Sequence, residues 1–418
     1  MKYSIQSGNK KAGLFFNHYL LALAAFFLLA ACNSSNVNGQ QGTGSGPVET
    51  SSPNSDYKPA FAGQTRINGV KTTTPYKVEQ IAEGLYRPWA VVPLPDGRLL
   101  VTSISGYMTI HDANGVQLKK ITGFPAVVAK GQGGMLDVAP DPDFSANRTI
   151  YWAFSEQQGD SNLTAVAKGK ISADELTIEN PVVIFRATPA LKSNLHFGCR
   201  LIFDKDGHLF VSTGERSNLD GRKQSQWLNA GLGKVFKITK EGKPAPGNPF
   251  LNTAGAMPEI YSYGHRNPQS LDIHPVTGDL WEAEFGPRGG DELNRIVPGK
   301  NYGWPIITYG IEYGGSKVGD GIQQKEGMEQ PVYYWDPVLS PGGMAFYRGD
   351  AIPEWKNNLF IGGLSGMHIC RLVIENNKVV GEERLLSDKQ ERFRDIAFVN
   401  GTLIAVTDRG KMFRISKQ

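Results

Sequence analysis

The amino-acid sequence predicts an all-β fold, a six-bladed propeller with four antiparallel strands per blade. Two observations carry this reading: a strand–turn–strand unit that recurs six times, and a composition rich in turn formers. The 418 residues include 49 Gly and 25 Pro and are 40% hydrophobic and 20% charged. That balance favours tight turns over long helices and excludes disorder or coiled coil as the main state. The formal charge of +4, from 44 basic and 40 acidic side chains, gives no reason to expect a nucleic-acid partner.

The chain opens with Lys2, Lys10 and Lys11, an apolar run from Leu20 to Ala31, and no acidic residue before Glu49. This is the layout of a secretory signal, and the run is short for a bilayer span of ~20 residues. It ends in Leu29-Ala30-Ala31-Cys32, similar to a bacterial lipobox, in which Cys32 is lipidated and residues 1–31 are removed. The expectation is an exported lipoprotein, held at the membrane only by its lipid and facing the periplasm, with the outer membrane favoured. Residues 32–74 are rich in Ser, Gly, Asn and Thr and predict a flexible tether of roughly 30–40 Å reach. Removing three lysines with the signal lowers the formal charge from +4 to +1. Only Cys199 and Cys370 remain in the mature chain; a disulfide is permitted in that compartment, but two buried thiols is the simpler state.

Residues 75–418 hold the propeller. A strand near Tyr76–Ala82 precedes the first repeat and is expected to join the last blade, closing the ring and removing an exposed edge. The repeats follow. Ala90-Val-Val-Pro-Leu-Pro-Asp-Gly-Arg-Leu-Leu-Val101 is the first, with copies near Leu136–Phe144, Leu201–Val211, Leu271–Trp281, Met344–Ile361 and Ile396–Val406. Their starts average about 61 residues apart. Asp-Gly or Asn-Gly between period-2 apolar segments marks hairpins, and regular repeats of this length mark blades.

The lead-in to each repeat carries the chemistry. These segments contain Gln132, His196, Arg266, Asn267, Arg392 and Arg394. Equivalent positions in a propeller lie around one end of the channel, so these side chains should converge there. Several cations facing one cavity suit a ligand with multiple carboxylates or phosphates; inter-blade ion pairs are the plainer alternative.

The same segments resemble the soluble aldose sugar dehydrogenases, the glucose/sorbosone dehydrogenase family that uses pyrroloquinoline quinone (PQQ). The resemblance spans nearly all of residues 76–417. It rests on Gly131-Gln-Gly-Gly-Met-Leu-Asp-Val138, Asn194-Leu-His-Phe-Gly198, Tyr261-Ser-Tyr-Gly-His-Arg-Asn-Pro-Gln269, Gly286-Pro-Arg-Gly-Gly-Asp-Glu-Leu-Asn294, Gly299-Lys-Asn-Tyr-Gly-Trp-Pro305 and Arg392-Phe-Arg-Asp395. It implies oxidation of an aldose, with His196 as general base and Arg266 stabilising charge on the quinone oxygen. It also implies that Gln132, Asn267, Tyr313, Arg392 and Arg394 contact the cofactor. Calcium is the implied metal: Gly286 and Pro287 carbonyls at the quinone, and Glu292, Asp291 and the Tyr302 carbonyl at a second, structural site. The segment Gly363-Leu364-Ser365-Gly366 lacks the family's usual Lys, leaving Ser365 at that cofactor-binding position. The electron acceptor is not specified by the sequence. Competing readings are a calcium-dependent propeller lactonase and a non-enzymatic lipoprotein that binds sugar or protein.

Overall fold

The computed structural model describes residues 46–418; the signal segment and Cys32 lie outside the described residues. Six four-stranded antiparallel sheets surround one channel. Their innermost strands are Pro88–Pro93, Met135–Pro140, Gly198–Phe203, Pro268–Ile273, Pro341–Phe346 and Phe393–Val399. All six repeat starts fall inside these strands. Each innermost strand touches the next, and the sixth touches the first, so the ring is closed. The closure is the expected one: Tyr76–Ala82 pairs antiparallel with Met412–Lys417 and is the outer strand of the sixth blade.

The turns explain the repeat. Gly97, Gly207 and Gly401 sit at φ +84°, +78° and +83°, which their Asp-Gly and Asn-Gly dipeptides accommodate at little steric cost. Alternate side chains then pack between adjacent blades. Phe185 of the second blade meets Phe236 of the third with ring centroids 4.7 Å apart, and Trp152, Trp281 and Trp355 are fully buried. Fully burying such large side chains contributes roughly 1.5–3 kcal/mol each. Cys199 and Cys370 are buried free thiols.

One regularity is not visible in the sequence. In all six blades the register between the first and second strands shifts within the opening residues of the innermost strand. A bulge bends its strand and redirects side chains, so each lead-in segment is turned at the same end of the channel.

The flexible-tether expectation does not hold for residues 46–74. They are laid across the outer strands of the fourth and fifth blades. Pro47 bridges to Asn68 and Gly69 to Glu382, Glu49 pairs with Arg384 at 2.7 Å, and Thr72 donates both its N–H and hydroxyl to Glu383. The segment lacks apolar bulk, so composition reads as unfolded; main-chain bonds and hydroxyl–carboxylate contacts hold it instead.

Candidate active site

A cavity of about 750 Å³ opens at the bulged end of the channel, lined from all six blades. Five arginines line it, at 87, 266, 288, 392 and 394, against Asp291 and Asp408. The wall therefore carries a formal charge of +3.

His196 sits in this wall, 6% exposed. Its backbone has φ +47°, a conformation held from several sides. Its N–H donates to Gln132 Oε1 at 2.7 Å, and Gln132 N–H donates to Asn194 O at 2.8 Å. A Cβ on Gly214 would collide with the His196 carbonyl, so glycine directly follows the Leu209–Thr213 strand behind this residue. His196 Nδ1 lies 2.5 Å from Glu215 Oε1. The buried Glu215 carboxylate accepts there, which leaves the Nε2 lone pair free of any protein donor among the described residues. Burial and then Arg266 push the imidazole down to about 4, outweighing Glu215; the ring is neutral at pH 7.

Arg266 is 4% exposed and donates to Phe285 O at 3.0 Å, while its buried Nε–H has no protein partner among the described residues. Its guanidinium lies 5.1 Å from the Trp304 ring centroid. Arg392 and Arg394 both pair with Asp408, at 2.8 and 2.7 Å. Burial alone would raise the Asp408 carboxyl, but the two guanidiniums hold it below the usual range. Asp408 stands outside the lead-in motifs: it follows a strand as Thr-Asp-Arg-Gly and looks like an ordinary turn acid, so the sequence carries no signal for it.

A family model described as glucose/sorbosone dehydrogenase matches residues 85–414. The chain belongs to the glucose/sorbosone dehydrogenase family. An Escherichia coli K12 relative, aldose sugar dehydrogenase YliI, is 39% identical over 345 residues, 81% of this chain and 92% of that protein. A crystal structure of a glucose dehydrogenase superposes with TM-score 0.78 at 43% identity, covering 82% of this chain and 99% of the other. The PQQ-bound aldose sugar dehydrogenase of Streptomyces coelicolor gives TM-score 0.68 at 29% identity, covering 83% and 99%.

In this family member, Gln132, His196, Arg266, Gly286, Pro287, Asp291, Tyr313, Ser365, Arg392 and Arg394 all line the cavity. Asn267 does not. It is fully buried behind the wall, where its Oδ1 accepts the Gly198 N–H at 3.0 Å. Asp291 departs from its expected ligand role: one oxygen accepts Gly286 N–H, the other accepts Leu339 and Ser340 N–H. It clasps two loops, and three amide bonds leave little capacity for a metal. The Gly286 and Pro287 carbonyls accept no backbone N–H across the turns and loops of the described residues. Glu292 and Tyr302 are away from the cavity, one on a strand of the fourth blade and the other in the loop that follows it. Glu292 faces Glu284 across the sheet, beside the Glu282–Asn294 pair. Burial, then the neighbouring Glu284, pushes the Glu282 and Glu292 carboxyls well up. Glu282 Oε1 and Asn294 Oδ1 are buried without partners among the described residues, and ligand atoms of His265, Glu282 and Glu284 lie within 4.8 Å of one another. Trp304 and Trp335 are both buried and do not line the cavity, the Trp304 ring centroid lying 5.1 Å from the Arg222 and Arg266 guanidiniums and Trp335 packed in a blade core.

Proposed function

We propose that the protein oxidises aldoses with PQQ and calcium, His196 acting as the general base. The observation that carries this is the neutral His196 imidazole on the wall of a +3 cavity, its Nδ1 held by Glu215. PQQ bears three carboxylates, whose negative charge is equal in size and opposite in sign to that of the wall. When bound, PQQ supplies a two-electron acceptor whose carbonyl calcium polarises. The chain supplies the rest. His196 Nε2 takes the hydroxyl proton of the sugar, and Glu215 fixes the ring so that Nδ1–H donates and stabilises the imidazolium that forms. Arg266, which lines the cavity, offers guanidinium donors where negative charge develops. Arg392 and Arg394 hold carboxylates, while Ser365 brings no cation to the position where the family usually has Lys.

Calcium fits two places by donor chemistry, since it takes oxygen ligands. The Gly286 and Pro287 carbonyls would hold one ion at the cavity. Glu292 with Glu282, whose Oε1 is unpartnered, would hold the other inside the fourth blade. The test is the ultraviolet–visible spectrum of the purified protein with PQQ and calcium, followed by aldose addition. Sugar-dependent bleaching of the oxidised cofactor and dye reduction are expected; an unchanged spectrum with every aldose tried refutes the proposal.

We also propose export and lipidation at Cys32, on the strength of Leu29-Ala30-Ala31-Cys32. Labelled palmitate should enter the wild type and not Cys32→Ser. An unlabelled wild type would remove this reading.

A further inference from the structure

The segment before residue 85 lies outside the family match, yet part of it reaches the cavity. Asn54 is a lining residue. Its N–H donates to Asp336 Oδ1 at 2.8 Å and its Nδ2 donates to Pro337 O at 3.0 Å. Its Oδ1 accepts from Arg288 Nε at 3.0 Å. Asn54 thus ties together the 286–290 and 336–340 loops, both of which line the cavity. Asp291 joins the same loops from beneath, through Gly286, Leu339 and Ser340. The strap is fixed on either side of Asn54: Ser55 Oγ donates to Tyr309 O, and Arg66 donates to both Ser51 O and Asp336 O at 2.8 Å.

Arg288 is the exposed member of its loop. Asn54 takes its Nε–H, and its other guanidinium N–H groups have no partner among the described residues. They are exposed donors on the wall of the cavity that His196 also lines, open to the hydroxyls of a sugar. An unrestrained arginine here would sample many rotamers, and ordering one such side chain on binding costs conformational entropy. Asn54 removes part of that cost in advance.

We propose that the N-terminal strap is part of the substrate site, with Asn54 a positioning residue that presents Arg288 to the hydroxyls of a bound aldose. This rests on the aldose-oxidising function proposed above. It gives the strap a role in recognition that the family core cannot supply by itself.

The test uses full-length protein and five forms: wild type, Asn54→Ala, Asn54→Asp, Arg288→Gln and the Asn54→Ala/Arg288→Gln double variant. With saturating PQQ and calcium, Asn54→Ala should raise the aldose KM about 3- to 10-fold, the range for one hydrogen bond, and leave kcat nearly unchanged. The double variant should be no worse than Arg288→Gln, because Asn54 acts through that side chain. Asn54→Asp keeps the acceptor for Arg288 and should restore most of the KM. A second arm needs no turnover: amide hydrogen exchange at 286–290 and 336–340 should quicken in Asn54→Ala. An unchanged KM, or KM effects that multiply in the double variant, overturns the proposal. If wild type shows no sugar oxidation, the functional reading fails, and unchanged exchange at both loops then overturns the clamp as well.

Discussion

The protonation of the His196 imidazole is set by two opposed influences. Burial and Arg266 depress it to about 4, and the Glu215 carboxylate works the other way. Because the folded value lies below the reference of 6.5, an unfolded chain binds the proton first as pH falls. This residue therefore subtracts stability progressively as pH falls from 6.5 through 4, and nothing above that window. The same shift sets the rate profile: the acid limb owed to the base should lie near pH 4, not 6.5. A kcat/KM profile with a midpoint near 6.5 would contradict it. His196→Gln should keep PQQ bound and reduce turnover by ~10²–10⁴-fold, the usual range for general base catalysis. Full turnover at saturating PQQ would sink the assignment. Arg394→Ala should act on binding instead. Losing a charge-assisted bond costs ~1.5–3 kcal/mol, roughly 10–150-fold in Kd, read by titrating PQQ into the apo protein. An unchanged Kd would mean that Arg394 serves only its protein partners, Asp408 and Gln269.

At the scale of elements, the blades are legible because each hairpin carries a local cause: Asp-Gly or Asn-Gly turns between alternating strands. The convergence of His196, Arg266, Arg392 and Arg394 is legible for the same reason, since repeat phase gives ring position. The strap is not. Its Thr72, Thr73 and Thr74 find Glu383 and Glu354, acids some 280–311 residues away, and no local pattern encodes such pairings. The bulges are also hidden, because they depend on how two strands meet. In the fourth blade, Glu284 stands opposite Glu292, an arrangement that costs stability unless a cation or proton intervenes. Chelation should therefore lower the melting temperature, and Glu292→Gln should blunt that response while sparing catalysis at the cavity. Superimposable melts with chelator and with added calcium would argue against an ion there.

Across the whole molecule, the channel is closed by charge. Arg200 sits between Asp137 and Asp395, 3.1 Å from each, beneath the Trp89 ring at 4.5 Å. All three charged residues are buried, and a Cβ on Gly343 would strike Asp395, so the plug dictates glycine beside it. Arg200→Met alone should cost ~3–5 kcal/mol by chemical denaturation, because two buried carboxylates lose their cation. Adding Asp137→Asn and Asp395→Asn should recover most of that loss. A single variant as stable as wild type would show that the plug is not held by its charges. Trp89 and Gln269 line the cavity above, while Asp137, Arg200 and Asp395 line a separate space on the far side. The channel is in effect a cup. Whatever enters must leave by the doorway it came through, so under the proposed function incoming sugar, departing product and the agent that collects electrons would queue at one threshold. Crowding by sugar should then delay the collector, and turnover should sag at high sugar in a way that more collector relieves.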